Sequence, residues 1–171
     1  MGTTIQLQAA DGFKFDAYVA QPAQPARAAV VVLQEIFGVN DHIRKVADGF
    51  AQAGYLAIAP ATFARSKVGV ELGYSADDMN AGFALKTAVE ALPAPGVMAD
   101  IQAAVNEAAK QSGGKVGVVG YCWGGLLTWR SAALVRESEP LAVHGLEREV
   151  VRGLLARRAD ELEFLDRRVG E

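Results

Sequence analysis

The sequence feature that most constrains the fold is a cysteine flanked by glycines directly after an apolar run. The run covers residues 115–119, and the motif Gly-Tyr-Cys-Trp-Gly-Gly follows at 120–125. Glycines two positions to either side of Cys122 permit the sharp strand-to-helix turn called a nucleophile elbow, which lifts its central side chain above a sheet. The N-terminus of the following helix favours the thiolate. The pattern predicts an α/β fold with a reactive Cys122, and a buried, inert cysteine is the alternative.

A second motif predicts an acidic residue at the end of another strand. The apolar segment 28–33 is followed by Gln-Glu-Ile-Phe-Gly-Val-Asn at 34–40. Open α/β sheets place ligand chemistry at the carboxyl ends of their strands, so Glu35 is a candidate proton partner for a thiol. A solvated loop carboxylate or a helix-capping acid is the alternative. The apolar neighbours Ile36 and Phe37 argue against full exposure.

The two motifs together resemble the dienelactone hydrolase family, which has the α/β-hydrolase fold. The resemblance runs from about residue 5 to about residue 134 and includes the strand-like segment 55–60. It implies a cysteine-dependent hydrolase of small lactones or esters, with a small-molecule substrate and no cofactor. The thiolate attacks the ester carbonyl in such a site, and water then cleaves the acyl-enzyme.

The resemblance also implies roles for individual residues. Cys122 becomes the nucleophile, and Glu35 becomes the carboxylate that meets the thiol in the resting enzyme. The backbone N–H groups of Ile36 and Trp123 form the oxyanion hole. Arginines hold a substrate carboxylate in this family, so Arg65 is a candidate substrate contact, with a surface loop arginine as the equally weighted alternative.

The family completes its catalytic triad with an Asp and a His from later strands, and we find neither in the sequence. The two histidines are His42 and His144. His42 lies on the polar side of a predicted helix, and His144 follows the cysteine too closely and without a preceding strand. We therefore expect impaired hydrolysis. Two other functions stay open: a non-catalytic remnant or interaction module, and another Cys–Glu enzyme of the deglycase or amidotransferase type.

Composition divides the chain into two parts. Residues 1–135 form the incomplete α/β-hydrolase-like domain, and residues 136–171 form a charged tail that contains arginine but no lysine and lacks the family resemblance. Apolar residues recur at helical spacing between Leu146 and Leu162, which predicts an amphipathic helix.

Charge and cysteine content exclude several functional classes. The net charge is −3 and the isoelectric point is near 5.5, which makes a nucleic-acid partner improbable. The single cysteine excludes an internal disulfide and is typical of a reducing compartment. We find no signal peptide, membrane-length apolar run or metal-ligand spacing, so we expect a cytoplasmic protein without a metal.

Alternating strand and helix patterns predict a mostly parallel sheet covered on both faces, as in a three-layer sandwich that lacks its last strands. An antiparallel hairpin at the N-terminus opens this predicted sheet. The predicted strands are 4–9, 13–20, 28–33, 55–59 and 115–119, and the predicted helices are 41–53, 76–91, 97–111 and 124–136, before the tail helix. Strand 115–119 becomes an edge in this arrangement. We expect either that the tail helix shields this edge or that the chain self-associates through it.

Overall fold

A computed structural model describes residues 2–137 of the chain, with side chains to residue 132. The predicted tail helix and His144 lie outside the described residues. In chain order the elements are β1 (Thr3–Gln8), β2 (Lys14–Ala20), β3 (Ala29–Leu33), α1 (Asp41–Gln52), β4 (Leu56–Pro60), α2 (Ala76–Glu90), α3 (Val97–Gln111), β5 (Val116–Gly120) and α4 (Trp123–Glu137). The prediction of an α/β fold is confirmed, and each predicted element of this part is present to within about two residues at either end.

The five described strands form one sheet in the order β1-β2-β4-β3-β5. The pairs β4–β3 and β3–β5 are parallel, whereas β1–β2 and β2–β4 are antiparallel. The sheet is therefore mixed. The predicted antiparallel hairpin and the predicted parallel pairing of the later strands are both present, and the description of the sheet as mostly parallel is inexact only because β2 also pairs antiparallel with β4. The N-terminal hairpin is the cause, because its second strand joins the sheet antiparallel to β4.

Helices cover both faces of the sheet. Because side chains alternate along a strand, Val32 of β3 packs with Ile43 and Ala47 of α1, while its neighbours Val31 and Leu33 belong to the core on the opposite face. Helix α3 contributes Ile101, Ala104 and Ala108 to that second core. Helix α4 packs against β5 and α3. The described part thus has the helix–sheet–helix layering expected from the sequence.

Burial falls sharply from the centre of the sheet to the β5 side. All five residues of β4 are buried, and so are four of the five in β3. All five residues of β5 are half-buried, and β3 is its one neighbour among the described strands. Strand β5 therefore ends the sheet in this part of the chain, as the sequence predicts. No helix between residues 2 and 137 is long and apolar enough to cross a membrane.

Candidate active site

Cys122 lies in a sharp turn between β5 and α4. Its φ angle is 52°, and it is the one non-glycine residue among those described with a positive φ in the left-handed region. This region is costly for residues with a Cβ, so surrounding structure must maintain it. Hydrogen bonds from Gly124 N to Tyr121 O and from Gly125 N to Cys122 O close the turn at 2.8 and 3.0 Å. The Cys122 side chain is exposed.

The glycines around Cys122 are required by close backbone packing. A Cβ atom on Gly120 would overlap the carbonyl of Gly124, and a Cβ on Gly124 would overlap the carbonyl of Leu33. At Gly125 the nearest atom to an added Cβ, the carbonyl oxygen of Gly120, is 3.6 Å away, which is an ordinary contact. The first two glycines therefore allow α4 to begin directly against β3 and β5.

Trp123 anchors the start of α4 in the core. Its ring is buried and stacks on Phe63, with centroids 5.0 Å apart. Its indole N–H donates to Oε1 of Glu90 at 3.0 Å. Hydrogen bonds from Lys86 and then Trp123 lower the pKa of Glu90, and hence keep this acceptor ionised. These contacts fix the residue that follows the cysteine.

Strand register brings Cys122 and Glu35 to the same end of adjacent strands. Leu33 pairs with Gly120 in the parallel ladder, and Tyr121 N donates to Leu33 O at 3.1 Å. Glu35 and Cys122 each come two positions after that pair. The polar end of the sheet predicted from the sequence is therefore formed by these two loops.

The loop that contains Glu35 is held on several sides. The buried side chain of Gln34 accepts a hydrogen bond from Thr62 N at 3.3 Å. Gly82 of α2 packs directly on the carbonyl of Ile36, where a Cβ would not fit. At the loop's end, Asn40 caps α1 by accepting from Ile43 N at 3.3 Å. Glu35 is thus half-buried on a well-packed loop.

The carboxylate of Glu35 has a partner that sequence reasoning missed. Tyr74 donates its phenol O–H to Oε2 of Glu35 at 2.9 Å. The two residues are 39 positions apart, and no local motif links them. Both Glu35 and Cys122 lie among the residues whose side chains the structure describes, and no hydrogen bond joins the Glu35 carboxylate to Cys122 Sγ.

Two backbone donors lie beside these side chains. Trp123 is the first residue of α4, so its N–H lacks an acceptor within the helix. The N–H of Ile36, directly after Glu35, likewise donates to no other group among residues 2–132. These are the two N–H groups that the sequence predicts for the oxyanion hole.

Arg65 lies in an ion-pair cluster rather than beside Glu35 and Cys122. Its guanidinium binds both oxygens of the fully buried Asp100 at 2.7 and 2.8 Å and also contacts Asp11 at 2.7 Å. It packs over the Phe13 ring at 4.5 Å. The two carboxylates raise the pKa of Arg65, and the hydrogen bond from Arg65 lowers the pKa of Asp11. All three guanidinium nitrogens are engaged, which favours a structural role.

His42 and the metal-ligating residue types can also be placed in the structure. His42 is exposed on α1, as expected, and its ring meets the edge of Tyr121 at a centroid distance of 6.1 Å. Across the described residues, no group of three or more His, Cys, Asp and Glu side chains could hold a metal ion.

Comparison with known proteins agrees with this architecture. Residues 15–153 match the dienelactone hydrolase family. The carboxymethylenebutenolidases of Pseudomonas putida and Pseudomonas knackmussii are each 37% identical over 131 residues, covering 75% of this chain and 55% of theirs. The solved structure of a "putative dienelactone hydrolase" from Klebsiella pneumoniae aligns with this protein at a TM-score of 0.58 and 33% identity. The alignment covers 77% of this chain and 55% of the Klebsiella chain. The chain therefore spans about half the length of these relatives.

Sequence motifs, sheet topology and these similarities agree, and the chain belongs to the dienelactone hydrolase family and has its α/β-hydrolase type of fold.

Proposed function

We propose that this protein is a cysteine-dependent hydrolase of small lactones or esters, with Cys122 as the nucleophile and Glu35 as its proton acceptor. One observation carries the proposal: an exposed cysteine at positive φ lies directly before a helix, and a carboxylate lies at the same end of the adjacent strand. The turn at Cys122 then functions as a nucleophile elbow. The resemblance to the carboxymethylenebutenolidases of the two Pseudomonas species supports the same class of substrate.

The reaction begins with transfer of the thiol proton from Sγ to Glu35. The sulfur forms a bond to the acyl carbon, and the carbonyl π electrons move to the oxygen. The N–H groups of Ile36 and Trp123 donate to this oxyanion. The C–O bond to the leaving group breaks as the carbonyl re-forms, and the leaving oxygen takes the proton from Glu35.

Water completes the cycle by cleaving the thioester. Glu35 accepts a proton from the attacking water, the C–S bond breaks, and the sulfur recovers a proton. His42 is the sole histidine of residues 2–132 and makes no hydrogen bond to Cys122. We therefore propose impaired turnover in which acylation outpaces hydrolysis of the acyl-enzyme.

Arg65 as a contact for an anionic substrate group also stays a proposal. Its saturated contacts with Asp100 and Asp11 make it the weakest of the proposed site residues. A cytoplasmic location is proposed on the single cysteine, which suits a reducing compartment.

The kinetics of p-nitrophenyl acetate hydrolysis test the proposed function. We expect a burst of p-nitrophenol, close to one equivalent, followed by a slow steady phase, and we expect Cys122→Ala to abolish the burst. Glu35→Gln keeps the size of the side chain but removes the proposed proton acceptor, and it should slow the burst. Release that is identical in wild type and Cys122→Ala would indicate a non-catalytic module, and turnover of glyoxal without an ester burst would indicate a deglycase-like enzyme.

A further inference from the structure

Tyr74 connects the Glu35 loop with the segment that leads into α2. Its hydroxyl donates to Oε2 of Glu35 at 2.9 Å, and its ring lies against Phe37 with centroids 4.5 Å apart. The rest of the Tyr74 side chain is open, with 58% of its surface exposed. The phenol therefore lies at the surface of the site, where the Glu35 carboxylate and the Phe37 ring contact it.

The backbone on the N-terminal side of Tyr74 is fixed to the Glu35 loop. Leu72 N donates to Phe37 O at 2.8 Å, and the buried Asn40 side chain donates to Leu72 O at 3.0 Å. Gly38 and Glu71 form an isolated antiparallel bridge. These contacts pair residues 71–72 with the loop as a short strand would.

The backbone on the C-terminal side of Tyr74 is fixed by the start of α2. Ser75 is the N-cap, and it forms a reciprocal capping box with Asp78. Ser75 N donates to Asp78 Oδ2 at 3.1 Å, and Asp78 N donates to the Ser75 hydroxyl at 3.2 Å. With Leu72 and Ser75 both anchored, little backbone freedom remains to move the phenol away from Glu35.

We propose that Tyr74 is a positioning residue that binds one carboxylate oxygen of Glu35 and so leaves the other oriented to accept the proton of Cys122. This inference rests on the proposed function of Glu35. A glutamate side chain on a loop samples several rotamers, and a single directional hydrogen bond removes most of that freedom. Tyr74 acts through Glu35 and needs no contact with substrate.

The test is a double-mutant cycle on the rate of Cys122 alkylation by iodoacetamide at neutral pH. Tyr74→Phe removes the hydroxyl and retains the ring that packs on Phe37. Because a single solvent-exposed hydrogen bond makes a modest net contribution, we expect Tyr74→Phe to slow alkylation by about three- to fivefold. Glu35→Gln should slow it more. Adding Tyr74→Phe to Glu35→Gln should then change nothing further, because the group that Tyr74 orients is gone.

A merely structural role for Tyr74 would give a different result, since its effect would persist in the Glu35→Gln background. Tyr55→Phe is the matched control, because Tyr55 packs on Phe50 and Arg27 and its removed hydroxyl bonds to neither Glu35 nor Cys122. It should alkylate at the wild-type rate.

The outcomes separate this inference from the proposed function. If Glu35→Gln slows alkylation while Tyr74→Phe does not, or if the two effects multiply, the positioning role is overturned and the proposed function stands. If Glu35→Gln leaves the rate unchanged, Glu35 does not accept the proton, and both proposals are overturned together.

Discussion

The two loops of the candidate site are held in place by different means. The Glu35 loop follows the buried strand β3 and contacts Thr62, the backbone of α2 and residues 70–72. The Cys122 turn follows β5, whose residues are all half-buried at the end of the described sheet. Glu35 is thus held by long-range packing, whereas the position of Cys122 depends on glycines and one buried tryptophan. The comparison teaches that the cysteine's geometry is encoded locally.

The surface next to the Cys122 turn is also unusually apolar. On α4, Leu126 has 41% and Trp129 has 76% of its surface exposed. Together with the edge of β5 that no described strand pairs with, these residues form what we call the α4–β5 surface. Strand β3, which precedes the Glu35 loop, differs from β5 because β4 and β5 flank it on both sides.

The largest expected effect comes from adding a methyl group at the glycines of the Cys122 turn. Gly120→Ala and Gly124→Ala should each lower the free energy of unfolding by about 3 kcal/mol, because the new Cβ overlaps a backbone carbonyl that cannot move independently. Urea denaturation measures this. Gly125→Ala is the matched control and should differ little from wild type. If all three variants had equal free energies of unfolding, the glycines at 120 and 124 would not be needed for the geometry of the turn.

A somewhat smaller effect is expected at Arg65, on the loop after β4. Arg65→Met retains the aliphatic stem but leaves the fully buried Asp100 without its guanidinium, which should cost about 2 to 3 kcal/mol in urea denaturation. Steady-state kinetics distinguish a structural role of Arg65 from a role in substrate binding. A KM that rises for a carboxylate-bearing ester and not for a neutral one, at unchanged stability, would assign Arg65 to the substrate instead.

The α4–β5 surface should promote self-association. We expect sedimentation velocity to detect oligomers that grow with concentration, and Trp129→Glu to weaken association by about tenfold, since it replaces a large apolar contact with a charge. Phe83→Glu is the matched control, because Phe83 is a comparably exposed aromatic residue on α2. A monomer at every concentration would count against this surface as an interface.

The smallest effect is a pH dependence at Asp11. The hydrogen bond from Arg65, followed by that from Phe13 N, lowers the pKa of Asp11 from its ordinary 3.8. A lowered carboxylate pKa stabilises the fold above the ordinary value, and this contribution is lost as the pH falls through the folded-state value. Wild type should therefore melt above Asp11→Asn near neutral pH, and the gap in Tm should shrink in acid. A gap that is constant with pH would exclude ionisation as its cause.

Local patterns were sufficient to predict the described helices and strands. Residues 115–125 contain the strand, the glycines and the helix start in one continuous segment, so the Cys122 turn could be anticipated. The antiparallel hairpin of β1 and β2 could also be anticipated, because a short turn joins the two strands. The antiparallel pairing of β2 with β4 could not, because it joins residues about 40 positions apart and leaves no periodic signal.

Side-chain partners were harder to predict for the same reason. Arg65 meets Asp100 and Asp11 across 35 and 54 positions, and a sequence cannot distinguish such a buried cluster from a substrate contact. Tyr74 precedes a capping box that the sequence contains, yet its hydroxyl finds Glu35 only through the packing of residues 71–72 on the loop.

The most direct test of the central claim is mass spectrometry of the intact protein after brief exposure to p-nitrophenyl acetate and acid quenching. The account predicts one acetyl group per chain, located on Cys122 by peptide mapping and absent from Cys122→Ala. A wild-type protein that stays unmodified, or carries its acetyl groups only on other residues, would contradict a nucleophilic Cys122.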